Sequence, residues 1–246
     1  MPSAISRPAT FVDLWSWVLG SAQLVARKPG YWLAFVVLLF ALAVPITFVP
    51  LAGNYLRGFL GALFGAFAVA LAHSQAGEGR ISVRRSFSIV VRAFPALVLL
   101  SLIQVAVNAA GELPVLRVIA TDREFSIYAL SDMHAGPARF GVDLVHTTIV
   151  AVVSSVLGFA VPLVLLSGAS AFESIRGSAT AFAKAPAVYL TFVLLGLVLP
   201  HSLVTLGLPG ILVFFAVAFL LTPAQYLMYR SVFGTGAQAL AATLAG

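Results

Sequence analysis

The sequence predicts an all-α fold: a polytopic membrane helical bundle of about six transmembrane helices, with three amphipathic interfacial helices and a parallel internal repeat. Three observations predict it. Of 246 residues, 61% are hydrophobic and only 9% charged, against roughly 25% charged in a soluble domain. The apolar residues fall in long runs rather than alternating, which selects helices over a β-barrel. A segment containing serine, a base, proline and an aromatic recurs in register along the chain.

The spans are read at 31–49, 51–72, 93–110, 142–166, 187–206 and 211–229. Each is long enough to cross roughly 30 Å of hydrocarbon at about 1.5 Å per residue. Val49-Pro50-Leu51 and Gly207-Leu208-Pro209-Gly210 read as tight helical hairpins. The long connection, 111–140, holds Glu112, Arg117, Asp122, Arg123, Glu124, Asp132, His134 and Arg139. As the largest soluble piece it is the expected seat of any external recognition. The whole chain, 1–246, reads as one integral membrane domain. Its repeat halves fall at about 11–79 and 168–236, around a central hairpin at about 80–167.

Orientation follows from the bases. One side carries Arg7, Arg27, Lys28, Arg80, Arg84, Arg85, Arg92, Arg176, Lys184 and Arg230; the other carries Arg57, Arg117, Arg123 and Arg139. Ten against four makes the first side cytoplasmic, and an even number of spans places both termini there. The first ten residues show no apolar core followed by a small-residue cleavage site, so no cleavable signal peptide is expected. The net charge of +6 is read as a topology signal rather than a nucleic-acid footprint, because the bases flank apolar runs. There is no cysteine, which excludes disulfides, thiolate metal sites and a cysteine nucleophile.

The repeat aligns 21–35 with 178–192: Ser21 with Ser178, Arg27 with Lys184, Pro29 with Pro186, Trp32 with Tyr189, Leu33 with Leu190 and Phe35 with Phe192. The offset of about 157 residues also pairs Gly53 with Gly210, Ser74 with Ser231, Gly77 with Gly234 and Gly79 with Gly236. A weaker third copy runs from Ser86 to Leu100, with Arg92 and Pro95. In each copy an amphipathic surface helix ends at a proline and the chain turns into a span. The expected polar stripes are Asp13, Ser16, Gly20, Gln23 and Arg27; Arg85, Ser88 and Arg92; and Glu173, Arg176, Thr180 and Lys184. Arg27, Lys28, Arg84, Arg85, Arg92, Arg176 and Lys184 are candidate contacts for lipid headgroups, and Trp32 and Tyr189 suit the interface. An even number of spans between copies makes the repeat parallel.

Polar residues also lie inside the spans. Ser101, Gln104 and Asn108 share one face of the third span; Asp143, His146, Thr147 and Ser154 lie along the fourth. Such groups are costly in lipid and face other helices or water. They are either hydrogen-bonding glue or the lining of a polar path through the central hairpin. Asp132, His134, Asp143 and His146 are potential ligands without a metal-site spacing, so no metal is assigned. Gly58, Gly61 and Gly65 form a small-residue face for helix packing, within the chain or between copies. Pro45, Pro162, Pro200 and Pro223 interrupt spans, and Pro45 and Pro200 fall at nearly matching places in the two halves. There is no phosphate-binding glycine loop, no nucleophile elbow and no carboxylate pair in a plausible cleft, so no catalytic residue and no cofactor is expected.

With these residues in hand the chain resembles a family of bacterial six-span inner-membrane proteins with repeated surface-helix hairpins. That family is akin to the membrane domain of some glycerophosphoryl diester phosphodiesterases. The resemblance rests on Trp15, Trp17 and Gly20, on Arg27-Lys28-Pro29 and Trp32-Leu33, and on Pro50-Leu51-Ala52-Gly53. Near the end it rests on Ser178, Pro186, Pro223 and the run from Tyr226 to Gly234. It covers most of the chain apart from 111–140. It implies a bacterial inner membrane and carries no settled activity.

The functional expectation is a non-enzymatic inner-membrane protein that engages lipid, anionic lipid above all, or a membrane-protein partner or second copy of itself. The alternative is a small transporter or channel using the polar central hairpin. Nucleic acid is not expected as a partner.

Overall fold

The computed structural model describes residues 8–47, 53–121, 152–153, 155–195 and 208–244, and all regular structure among them is helical. The helices are α1 (Phe11–Arg27), α2 (Pro29–Thr47), α3 (Gly53–Glu78), α4 (Val83–Thr121), α5 (Ala160–Ser167), α6 (Ala171–Lys184), α7 (Pro186–Val193), α8 (Leu208–Leu221) and α9 (Ala224–Leu244).

Among the described residues two single helices, Phe59–Glu78 and Val83–Val107, are long and apolar enough to cross a membrane. A third crossing is available if α1 and the following Pro29–Leu42 count as one span, although the two are bent by 103°. That bend has a local cause. Proline disfavours helical backbone at the residue before it, and Lys28 sits at φ −144°, ψ 59°. Pro29 then opens α2, where a missing N–H costs nothing. The same device separates α6 from α7: Ala185 adopts φ −151°, ψ 54° before Pro186. In both corners the amide of the bent residue bonds three residues back, Lys28 to Val25 and Ala185 to Phe182, each at 3.1 Å.

Both surface helices also start alike. The Asp13 carboxylate accepts the Thr10 backbone N–H at 2.8 Å, and the Glu173 carboxylate accepts the Ser170 backbone N–H at 3.0 Å. An acid in the first turn also suits the positive end of the helix dipole.

The middle segment departs from the expectation of a third separate surface helix. Residues 83–92 are the opening turns of α4, which runs unbroken through Pro95. Interior proline costs about 3 kcal/mol, and the long interface of α4 with α3 offsets it. At its other end α4 continues to Thr121, so the first part of the expected 111–140 loop is helical. Leu113, Leu116 and Ile119 extend the apolar spacing of the helix past Gly111 and Pro114. The 39 residues of α4 span about 58 Å, well beyond a hydrocarbon core of about 30 Å. The expected last span is divided at Thr222-Pro223 into α8 and α9, as proline dictates. Pro45, by contrast, lies inside α2.

Helices α3, α5 and α9 touch pairwise and form the centre of the bundle. Around them α4 packs on α3, α6 on α5, and α1 on α9, so the first surface helix closes the circuit against the last helix. One core gathers Trp32, Phe35, Val69, Leu97 and Tyr226. The other is aromatic, built on Trp17, Phe159, Tyr189, Tyr229 and Phe233. In it Trp17 stacks on Tyr189 with ring centres 6.1 Å apart, and Phe159 meets Tyr189 edge-on at 5.1 Å.

Candidate functional site

The candidate surface is assembled by α1, the start of α4, and α6. Each of these has one face on the bundle. On α1 the buried residues are Asp13, Trp17, Ser21, Leu24 and Val25, a spacing of three to four that makes one stripe. The opposite face shows Phe11, Val12, Trp15 and Leu19 to the outside. Between these faces runs an exposed polar edge of Ser16, Gln23 and Arg27. The expected stripe on α1 is therefore split, because Asp13 turns inward to cap the helix and Gly20 turns inward against Leu227. On α6 the expected stripe is intact: Glu173, Arg176, Thr180 and Lys184 are all exposed, beside an outward Phe172. The start of α4 presents Arg84, Ser88 and Arg92 together with exposed Phe87, Val91 and Phe94.

Arg27, Lys28, Arg84, Arg85, Arg92, Arg176 and Lys184 are all exposed. Among the described residues Arg85 is the one of these with a carboxylate partner, Glu78, and Arg80 pairs with the same group at 3.6 Å. These pairs tie the α3–α4 corner, where Gly79 takes the left-handed backbone (φ 68°) that glycine adopts without strain.

The aromatics after the two proline corners lie elsewhere than expected. Trp32 and Tyr189 are buried, at 0% and 1% exposure, and serve packing rather than the interface. Trp15, 63% exposed, presents itself outward instead. Trp17, two residues on, points the other way and donates its indole N–H to the Ser231 hydroxyl at 2.9 Å.

The serine that opens each aligned segment is fully buried in all three: Ser21, Ser86 and Ser178. Ser21 donates to the Leu220 carbonyl. Ser178 donates to the Val156 carbonyl and accepts the Phe159 N–H at 2.9 Å. Both carbonyls lie just before a break in a helix, at Thr222-Pro223 and at Gly158-Phe159. Ser86 lies in the first turn of α4, and its hydroxyl has no partner among the described residues.

The polar residues of the third span divide. Ser101 is buried and returns its hydroxyl to the Leu97 carbonyl one turn back, at 2.8 Å. Gln104 is partly buried on the same helix. Asn108 shares α4, its side chain outside the description. Asp132, His134, Asp143, His146, Thr147, Ser154 and Pro200 lie outside the described residues.

Gly61 and Gly65 are not points of close approach within the described chain. A β-carbon on Gly61 would meet nothing, and one on Gly65 would reach only the Gln225 amide at 3.8 Å. Gly58 lies on the same helix. The glycines that do allow close packing are Gly20 and Gly177. A β-carbon would fall 2.9 Å from Leu227 on the first and 3.1 Å from Leu163 on the second. These two stand 157 positions apart, so the repeat register carried the signal that a search for paired small residues on one helix does not. Amide links are a second addition: buried Gln75 to the Leu24 carbonyl and half-buried Gln225 to the Gly158 carbonyl, each at 2.7 Å.

No family model, no curated protein and no solved structure matches the chain.

Proposed function

We propose that this chain is a non-enzymatic, multi-pass protein of the bacterial inner membrane that engages lipid or a membrane-protein partner, in a scaffold or accessory role. The observation that carries the reading is the pair of surface helices, α1 and α6. Each starts on an acid-anchored first turn, ends in a base and a proline corner, and buries one face in the bundle. Helix α1 turns Phe11 and Trp15 outward and α6 turns Phe172 outward, each beside exposed bases. Such a helix settles at the boundary between headgroups and acyl chains, and its bases favour an anionic leaflet by about 1 kcal/mol each.

Six spans, both termini in the cytoplasm and a parallel repeat complete the reading. The repeat is supported by the matched dihedral angles at Lys28 and Ala185, by the three buried serines and by Gly20 and Gly177. Residues Ser101 and Leu97 favour packing over a water path at that level, because the hydroxyl is spent within its own helix.

Native mass spectrometry of the protein extracted with its membrane in polymer discs tests the proposal. Stoichiometric lipid or a defined membrane-protein partner is the expected result. A chain carrying neither sinks it.

A further inference from the structure

One cleft distinguishes the middle hairpin from the other two. Between the first turns of α4 and the α5–α6 connection lies a groove of about 510 Å³, within the range of small-molecule sites. Its apolar walls include Ala93, Ala96 and Leu165, and its polar groups come from Arg92, Ser167, Ser170 and the Gly168 backbone.

The ends of α3 and α5 align by serine, Ser74 with Ser167, and their burial runs in step over 69–74 and 162–167. In that register Gln75 stands where α5 has Gly168. Gln75 fills the first hairpin's cleft: it is 1% exposed, donates to the Leu24 carbonyl at 2.7 Å and accepts the Trp32 indole N–H at 2.9 Å. In the third hairpin the matching position is Val232, packed with Ala181 and Tyr189 in the aromatic core. Gly168 offers no side chain. It stands at φ 67°, and a β-carbon there would meet nothing within 4 Å among the described residues. The cleft that is closed in two hairpins is open in the middle one.

We propose that this groove is a phospholipid site, with the Arg92 guanidinium on the phosphate and an acyl chain along Ala93, Ala96 and Leu165. The choice of occupant follows from charge and polarity. Arg92 is exposed at the groove and has no carboxylate within ion-pair distance among the described residues; guanidinium matches phosphate in a fork of hydrogen bonds. The apolar walls beside it suit a chain that a free phosphate lacks. The assignment rests on the lipid-engaging reading above and locates it.

The test is a titration of the purified full chain with dioleoyl phosphatidylglycerol, read by native mass spectrometry. Glycerol 3-phosphate and dioleoylglycerol serve as head-only and tail-only competitors. One phosphatidylglycerol should be retained per chain, and neither competitor should displace it. Ala96→Phe, which fills the groove, and Arg92→Gln, an exposed change that leaves packing alone, should each weaken retention about tenfold. Circular dichroism checks that each variant keeps its helix content. Retention unchanged in either folded variant overturns the groove and leaves the lipid-engaging reading standing. Displacement by glycerol 3-phosphate overturns it in favour of a free-phosphate site. A wild-type chain that retains no stoichiometric lipid overturns the groove, and the proposed function falls with it only if no membrane-protein partner is carried either.

Discussion

Trp32 and Gln75 form a buried pair in which the indole N–H donates to the amide oxygen at 2.9 Å, and Gln75 in turn donates to the Leu24 carbonyl. One glutamine thus joins α1, α2 and α3 at the first proline corner. In lipid, apolar burial does not drive helices together, so such bonds and close fit carry the association.

Replacing Gln75 by leucine keeps the bulk and leaves an indole N–H and a carbonyl unpaired in a buried place. The expected loss is about 1–3 kcal/mol. Thermal unfolding in a mild detergent measures it; an unchanged midpoint would show that water or another group takes over both partners.

Two of the three buried serines, Ser178 and Ser86, should respond differently to alanine. Ser178→Ala removes the partner of the Phe159 N–H and of the Val156 carbonyl, with an expected loss of about 1–3 kcal/mol. Ser86→Ala removes a hydroxyl that has no partner among the described residues, so it should be neutral or stabilising. Equal losses at the two positions would contradict this account of the helix breaks.

Gly20→Leu should cost about 1–3 kcal/mol by overpacking, because a β-carbon at that position already falls 2.9 Å from a Leu227 methyl. Leu227→Ala in the same chain should restore part of the loss. A double-mutant cycle in which Leu227→Ala restores none of it would mean that α1 and α9 do not meet here.

Hydrogen bonds from the backbone N–H and then the hydroxyl of Ser170 hold the Glu173 carboxyl below its ordinary value. A depressed folded value means stability that is present above the ordinary glutamate pKa. That stability is lost as pH falls through the lower folded value. Glu173→Gln should flatten this acid limb in the pH dependence of the thermal midpoint. If the limb is identical in the variant, another carboxyl is responsible.

Single cysteines introduced at Gln23 and Thr180, both exposed on surface helices, should react with an impermeant maleimide from the same side of inverted membrane vesicles. Reaction from opposite sides would rule out a parallel repeat.

The apolar runs, the break before Pro29 and Pro186, and the base at the end of α1 and α6 were legible in the sequence. They depend on local chemistry: a proline constrains its predecessor whatever surrounds it, and long apolar runs require lipid or a core. The polar stripe of α6 was legible, but which apolar residues of α1 face the bundle was not, because an amphipathic helix between lipid and protein has two apolar faces. Only packing against α9 decided that Trp17 turns inward while Trp15 turns out. Packing also carried α4 through Pro95, where the local rule alone would end it. The groove at Gly168 was hidden for the same reason. A glycine at a helix end reads as an ordinary cap, and its lack of a side chain matters only because the tertiary fold sets it where another hairpin places Gln75. Local chemistry therefore determined where helices form and turn, and the tertiary structure decided which faces meet and which cleft stays open.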